Sequence, residues 1–180
     1  MIYVFLADGF EEIEALTPVD VFRRAGLRTL TVSITDKHTV VGSHNIAVLA
    51  DALLSDVNLA DADLLLLPGG MPGTKHLGEC KELCNALTAH AAAGKPIAAI
   101  CAAPSVLGKL GLLSGKKATC YPGFEDALTG ATVSEQKVVR DGNTVTAAGM
   151  GVALEFSLEC LRLLSHADAA NAIRKGVIAE

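Results

Sequence analysis

The stretch Lys95-Pro-Ile-Ala-Ala-Ile-Cys101-Ala-Ala-Pro-Ser-Val-Leu-Gly-Lys-Leu110 decides how the chain folds. An apolar β-run from Pro96 to Ile100 stops at a single cysteine. Ala102, Ala103 and Pro104 follow, and a helical pattern then places Val106, Leu107 and Leu110 on one side. Cys101 therefore falls at a strand-to-helix turn. Small neighbours suit a tight, strained turn that lifts the side chain clear of the sheet, as in a nucleophile elbow. The start of the next helix points free N–H groups at the sulfur and favours the reactive thiolate. The competing reading is a buried structural thiol, because free Cys is among the most buried residue types. This stretch alone leaves both open.

Outward from it, the same strand-turn-helix unit recurs. Ile2 to Ala7 is a continuous apolar run, typical of a parallel strand covered on both faces. Asp8-Gly9 turns the chain into a helix from Phe10, which Pro18 is expected to kink or restart and Gly26 to cap. Its inward face is Val19, Val21, Phe22 and Ala25. Arg28 to Ile34 reads as a second strand. Thr39–Val41 and Ile46–Leu49 flank Gly42-Ser-His-Asn45 as a hairpin. Asp51 to Ala62 is mixed, with a short helix at best. Leu64 to Leu67 is another buried strand, ended by Pro68-Gly69-Gly70-Met71-Pro72-Gly73. One helix is expected over Leu77–Ala93, with Cys80, Leu83, Cys84, Leu87 and Ala91 on one stripe. After Gly111 come short strands around Asp141-Gly142-Asn143, a hairpin signal. Helices over Val152–Leu164 and Asp168–Val177 close the chain. This order predicts an α/β fold, a flavodoxin-like three-layer α/β/α sandwich with a mostly parallel sheet, as one domain over 1–180.

Composition agrees with that class. The chain has 180 residues, 51% of them apolar, and aromatics are only 4%. A net charge of −5 without a basic cluster gives no ground for a nucleic-acid partner. No apolar run is long enough to span a bilayer, so no membrane association is expected. The first residues read as a strand and not as a signal peptide. Five cysteines at irregular spacing read as reduced thiols in a cytoplasmic protein. Cys80 and Cys84, one turn apart, have no second pair of ligands near them and read as core, so no metal is expected. No P-loop is present and no cofactor is expected.

Three turns, Asp8–Glu14, Leu67–Gly73 and Ile100–Pro104, are expected to meet at the carboxyl end of the sheet, where open α/β folds bind ligands. A cysteine there needs a proton-handling group and donors for a developing oxyanion. Ile13 and Leu16 define the buried side of the first helix, which makes Glu14 the candidate proton group. The alternative is that Glu11, Glu12 and Glu14 are solvated first-turn acids, which suits Glu11 or Glu12. If buried, Glu14 would have a raised pKa and donate a hydrogen bond to the sulfur. Backbone N–H groups of Gly70 and Ala102 are candidate oxyanion donors, with Gly69 beside them.

The residues Ala7-Asp-Gly-Phe-Glu-Glu-Ile-Glu14, Pro18 to Gly26, Leu67-Pro-Gly-Gly70, Ala98-Ala-Ile-Cys-Ala-Ala-Pro104 and Glu155-Phe156 resemble the ThiJ/PfpI superfamily, and within it the DJ-1 branch. The resemblance implies a flavodoxin-like homodimer, Cys101 as elbow cysteine, Glu14 as buried protonated glutamate and Gly70 as oxyanion glycine. It implies glutathione-independent glyoxalase or deglycase action on small reactive dicarbonyls, or alternatively an oxidative-stress sensor or chaperone that works through oxidation of Cys101. Part of the first helix, Glu11–Ala25, is implied at the dimer contact. Four departures stand out. Ala102 replaces the histidine that protease-like branches carry after the cysteine, which disfavours peptidase activity. Tyr121 stands before Pro122 where relatives carry a histidine, and a phenol is a poor base near neutral pH. His44 and Ala148 stand where arginines are usual. Tyr121 and His44 are thus possible pocket residues.

Overall fold

The first strand, β1 (Ile2–Leu6), is buried along its whole length, and its two faces feed two separate cores. Ile2, Val4 and Leu6 point to one side, Tyr3 and Phe5 to the other, as a period of two requires. The structure is a computed structural model and describes residues 1–179; Glu180, the last residue of the expected domain, lies outside them. After β1 the chain forms α1 (Glu12–Arg24), β2 (Thr29–Ser33), β3 (Thr39–Val41), β4 (Ala47–Leu49) and β5 (Ala52–Leu53). Next come β6 (Leu64–Leu67), α2 (Gly73–Glu79), α3 (Lys81–Ala92), β7 (Ile97–Ile100) and α4 (Pro104–Lys109). The remainder is β8 (Lys117–Ala118), β9 (Thr132–Val133), β10 (Val138–Asp141), β11 (Thr144–Ala147), α5 (Ala153–Leu163) and α6 (Ala167–Gly176).

Seven strands form the central sheet in the order β10-β11-β7-β6-β1-β2-β5. All neighbours are parallel except β10 and β11, the hairpin that turns at Gly142. One core holds Phe22 of α1, Phe156, Leu158 and Leu161 of α5, and Ile173 of α6. The other holds Leu77 of α2, Leu83 and Leu87 of α3, and Val106 and Leu107 of α4. Helices thus cover both faces of the sheet, as the α/β reading expects. The β3–β4 hairpin stands outside as its own two-stranded sheet.

Four local expectations need correction. Helix α1 runs unbroken through the buried Pro18, so the expected restart does not occur. The one amide bond that Pro18 lacks is outweighed by the packing of Val19, Val21 and Phe22 around it. The helix expected over 77–93 begins at Gly73 and breaks at Cys80, whose ψ of 98° is extended. The segment after Asp51 supplies an edge strand, β5, which pairs with β2. Finally, Ile13 and Leu16 do not mark the buried side of α1: they are 47% and 38% exposed.

Candidate functional site around Cys101

Cys101 follows β7 directly and holds φ at 65°, in the left-handed region that L-residues rarely adopt. Two remote backbone bonds fix it there. Its N–H donates to the Ala147 carbonyl at 2.8 Å, and its own carbonyl accepts from the Tyr121 N–H at 2.8 Å. Ala102 and Ala103 are buried immediately behind it, where larger side chains would meet the core. The side chain is thereby turned out of the sheet, half-buried, at the carboxyl end of the strands.

Glu14 meets it from α1. The residue is buried, its Oε2 accepts from the Gly69 N–H at 3.0 Å, and its carboxyl interacts with the Cys101 thiol and the Met150 N–H. The burial arises without the apolar neighbours expected to signal it, since Ile13 and Leu16 face outward. What encloses Glu14 is the glycine turn after β6 and the turn at Gly149. At Gly69 a Cβ would stand 2.6 Å from both the Cys101 Cβ and Glu14 Oε2, so only glycine fits between the two groups. Gly70 holds φ at +88°, and its N–H, like that of Ala102, is aimed at the sulfur. The three expected turns therefore meet here. Gly69 differs from its expected place among the oxyanion donors, because its N–H is taken by Glu14.

The electrostatics depart from the expected low-pKa thiolate. Burial, then the negative charge and hydrogen bonding of Glu14, push the Cys101 thiol up to about 12 against the pull of the Ala102 and Gly70 N–H groups. Burial also pushes the Glu14 carboxyl up to about 7, with the charge of Glu11 adding to it. The N–H groups at the start of α4 do not offset desolvation of the sulfur. The two groups form one coupled pair that resists carrying two charges. With a proton on Glu14, the carboxyl stops opposing the thiolate and can donate to it.

The remaining residues separate. Tyr121 is 51% exposed, and its ring would lie 3.5 Å from a Cβ at Gly149, whose nearest further neighbour is Glu14. Its backbone carries Cys101, but its hydroxyl has no hydrogen-bond partner among the described residues. His44 belongs to another cluster. Its Nδ1 lies 2.8 Å from Glu12 Oε2 and 3.7 Å from Glu11 Oε2, with no polar contact to Cys101 or Glu14 among the described residues. Glu12, expected in solvent, is buried under the β3–β4 hairpin and accepts from the His44 N–H at 2.8 Å. Burial raises its carboxyl, but the His44 hydrogen bonds prevail and hold it down at about 2. A signal for that burial does exist in the sequence: Gly42, where any Cβ would collide with the Glu12 carboxylate.

Cys80 and Cys84 are half-buried free thiols, and Cys80 packs against the α2–α4 core. No helix of the described residues is long and apolar enough to cross a membrane.

Comparison with known proteins places this geometry. A family model described as the DJ-1/PfpI family matches residues 1–163. Protein DJ-1 homolog B of Arabidopsis thaliana is 42% identical over 88% of this chain, and the chain spans 37% of that relative's length. A Pyrococcus abyssi protein named as a deglycase is 32% identical, over 91% of this chain and 98% of its own length. The structure of oxidized Toxoplasma gondii DJ-1 superposes with a TM-score of 0.93 at 37% identity, covering 98% of this chain and 97% of that one.

Proposed function

The chain belongs to the DJ-1/PfpI family, and from that premise we propose that it is a cysteine-dependent enzyme acting on small reactive dicarbonyls, of the glutathione-independent glyoxalase or deglycase type. One observation carries the reading: the Cys101 sulfur is faced at once by a protonatable carboxyl, Glu14, and by two backbone N–H groups, of Gly70 and Ala102. That is a nucleophile with a proton carrier and oxyanion donors. The deglycase name of the Pyrococcus abyssi relative supports it.

In the proposed cycle on methylglyoxal, Glu14 takes the thiol proton as sulfur attacks the aldehyde carbon. The new oxyanion is held by the N–H groups of Gly70 and Ala102, then protonated to a hemithioacetal. Glu14 moves the proton from C1 to C2 through an enediol, leaving a thioester of lactate. Water cleaves the thioester, releasing lactate and the thiol. The same addition to the carbonyl of an early adduct underlies deglycation. Ala102 leaves no imidazole beside the sulfur, which argues against peptidase chemistry.

A second reading, redox sensing with a protective chaperone role, draws on the same pair. Peroxide would oxidise Cys101 to sulfenate with release of water, and a second equivalent would give sulfinate, held by protonated Glu14. We further propose a cytoplasmic homodimer that contacts through α1 and the hairpin, where Ile13, Leu16, Ile46 and Leu49 are exposed. Light scattering on the purified chain gives its mass. For the enzymatic reading, lactate formed from methylglyoxal is measured with wild type and Cys101→Ala. Equal rates, or none in wild type, would end it. Intact-mass analysis after mild peroxide tests the sensor: an unmodified Cys101 beside oxidised neighbours would remove that reading.

A further inference from the structure

The Glu11–Glu12–His44 cluster is left unused by the chemistry at Cys101. We propose that it is a binding site for one divalent transition-metal ion of the zinc class, held by Glu11, Glu12 and His44 with the Ser43 hydroxyl at the fourth vertex. The three candidate ligand atoms all lie within 4.8 Å of one another. Ser43 Oγ stands 3.3 Å from Glu11 Oε2, 3.4 Å from Glu12 Oε2 and 3.1 Å from His44 Nδ1. His44 Nδ1 lies 2.8 Å and 3.7 Å from the two carboxylates, and the Glu11 and Glu12 ligand atoms lie within 4.8 Å of each other. For metal–ligand bonds of about 2.0–2.2 Å, the edges of a tetrahedron are about 3.3–3.6 Å. These four donors thus already approximate one coordination shell, so an ion would require only small side-chain adjustments.

Charge and support point the same way. Two carboxylates face one imidazole, and no Lys or Arg pairs with either carboxylate among the described residues. A divalent cation balances both. Carboxylate and imidazole together suit borderline divalent metals more than Ca2+ or Mg2+. The other oxygen of Glu12, Oε1, is fixed by the His44 N–H at 2.8 Å, the outer-shell bond that orients a ligating carboxylate. Side-chain exposure of 6% at Glu12, 15% at Glu11 and 66% at His44 leaves one face open for entry. The site joins α1 to the β3–β4 hairpin, two elements otherwise tied by backbone bonds such as Ser43 N–H to the Phe10 carbonyl at 2.8 Å.

Cobalt(II) tests this with a readout that separates the cluster from the five thiols. The reduced, chelator-stripped full chain is titrated with Co2+ and followed by absorption. The expected result is one bound equivalent with d–d bands of nitrogen and oxygen ligation and no sulfur-to-cobalt band in the near ultraviolet. His44→Ala, on an exposed loop, and Glu11→Gln should each weaken binding at least tenfold. A sulfur-to-cobalt band at the first equivalent, no saturable binding, or less than tenfold weakening in His44→Ala would each overturn the proposal.

Discussion

Glu12 and Glu14 stand two positions apart on α1, and both are buried, yet their surroundings drive them in opposite directions. Under the hairpin, an imidazole and a backbone N–H hold Glu12 near 2 as an anion. At the elbow, a thiol, two amides and the nearby Glu11 charge leave burial dominant, and Glu14 rises to about 7. Burial by itself therefore does not assign a role. The partner decides whether a buried carboxyl is a fixed charge or a mobile proton.

The sharpest way to break this contrast is to remove each carboxyl in turn. Glu14→Gln should lower kcat/KM for methylglyoxal by about 100-fold or more, the scale of a lost proton-transfer group, whereas Glu12→Gln should cost under tenfold. Similar losses in both would erase the distinction. Next in size is the backbone that each pocket needs. Gly69→Ala forces a methyl against the Cys101 Cβ and the Ile100 carbonyl, and urea unfolding should show a loss of about 1–3 kcal/mol. The equivalent change under the hairpin, Gly42→Ala, presses first on the Glu12 side chain and not on backbone, so its loss should be smaller.

The pH dependence separates the pair further. Glu12 has a folded value below its usual 4.5, so its contribution is present above about 4.5 and fades as pH falls toward about 2. Glu14 has a raised value, so its contribution is complete below about 4.5 and fades as pH climbs through about 7. Unfolding of the metal-free protein at pH 3 against pH 5 should show a Glu12 effect on the order of 1–2 kcal/mol, since the exposed His44 is screened. That drop should vanish in Glu12→Gln. The smallest effect belongs to Tyr121→Phe: its hydroxyl is unpartnered among the described residues, and rates should stay within about threefold. A larger fall would bring the phenol into the reaction.

Much of this was readable from the residues. The apolar run halted at Cys101, the small residues behind it and the Gly69-Gly70 turn point to an elbow, while the Cys101 stretch alone also fits a buried structural thiol. Glu14 is buried as expected, but not for the reason that helical periodicity suggests. Its cover comes from turns far along the chain, while the apolar Ile13 and Leu16 chosen as markers face outward. Helical periodicity cannot register such cover. The same holds for Glu12, buried by a hairpin that folds back over the helix start, and for His44, drawn to Glu12 and not to the sulfur. The break at Cys80 and the unbroken passage through Pro18 were likewise decided by packing. The sulfur's raised thiol value is a property of the enclosed pair, invisible in either residue alone.

The two bonds that hold Cys101 in its left-handed turn both come from residues further along the chain, Tyr121 and Ala147. During synthesis, then, the segment around Cys101 emerges well before anything that can lock it. Until β11 is in place, the cysteine has no reason to leave ordinary backbone geometry or to meet Glu14 in a fixed pose. Non-local pairings of this kind form late in folding. The nascent chain thus carries an ordinary thiol, and a chain cut short of Ala147 should carry one permanently. The left-handed geometry of the elbow is thus set only once the sheet has closed around it.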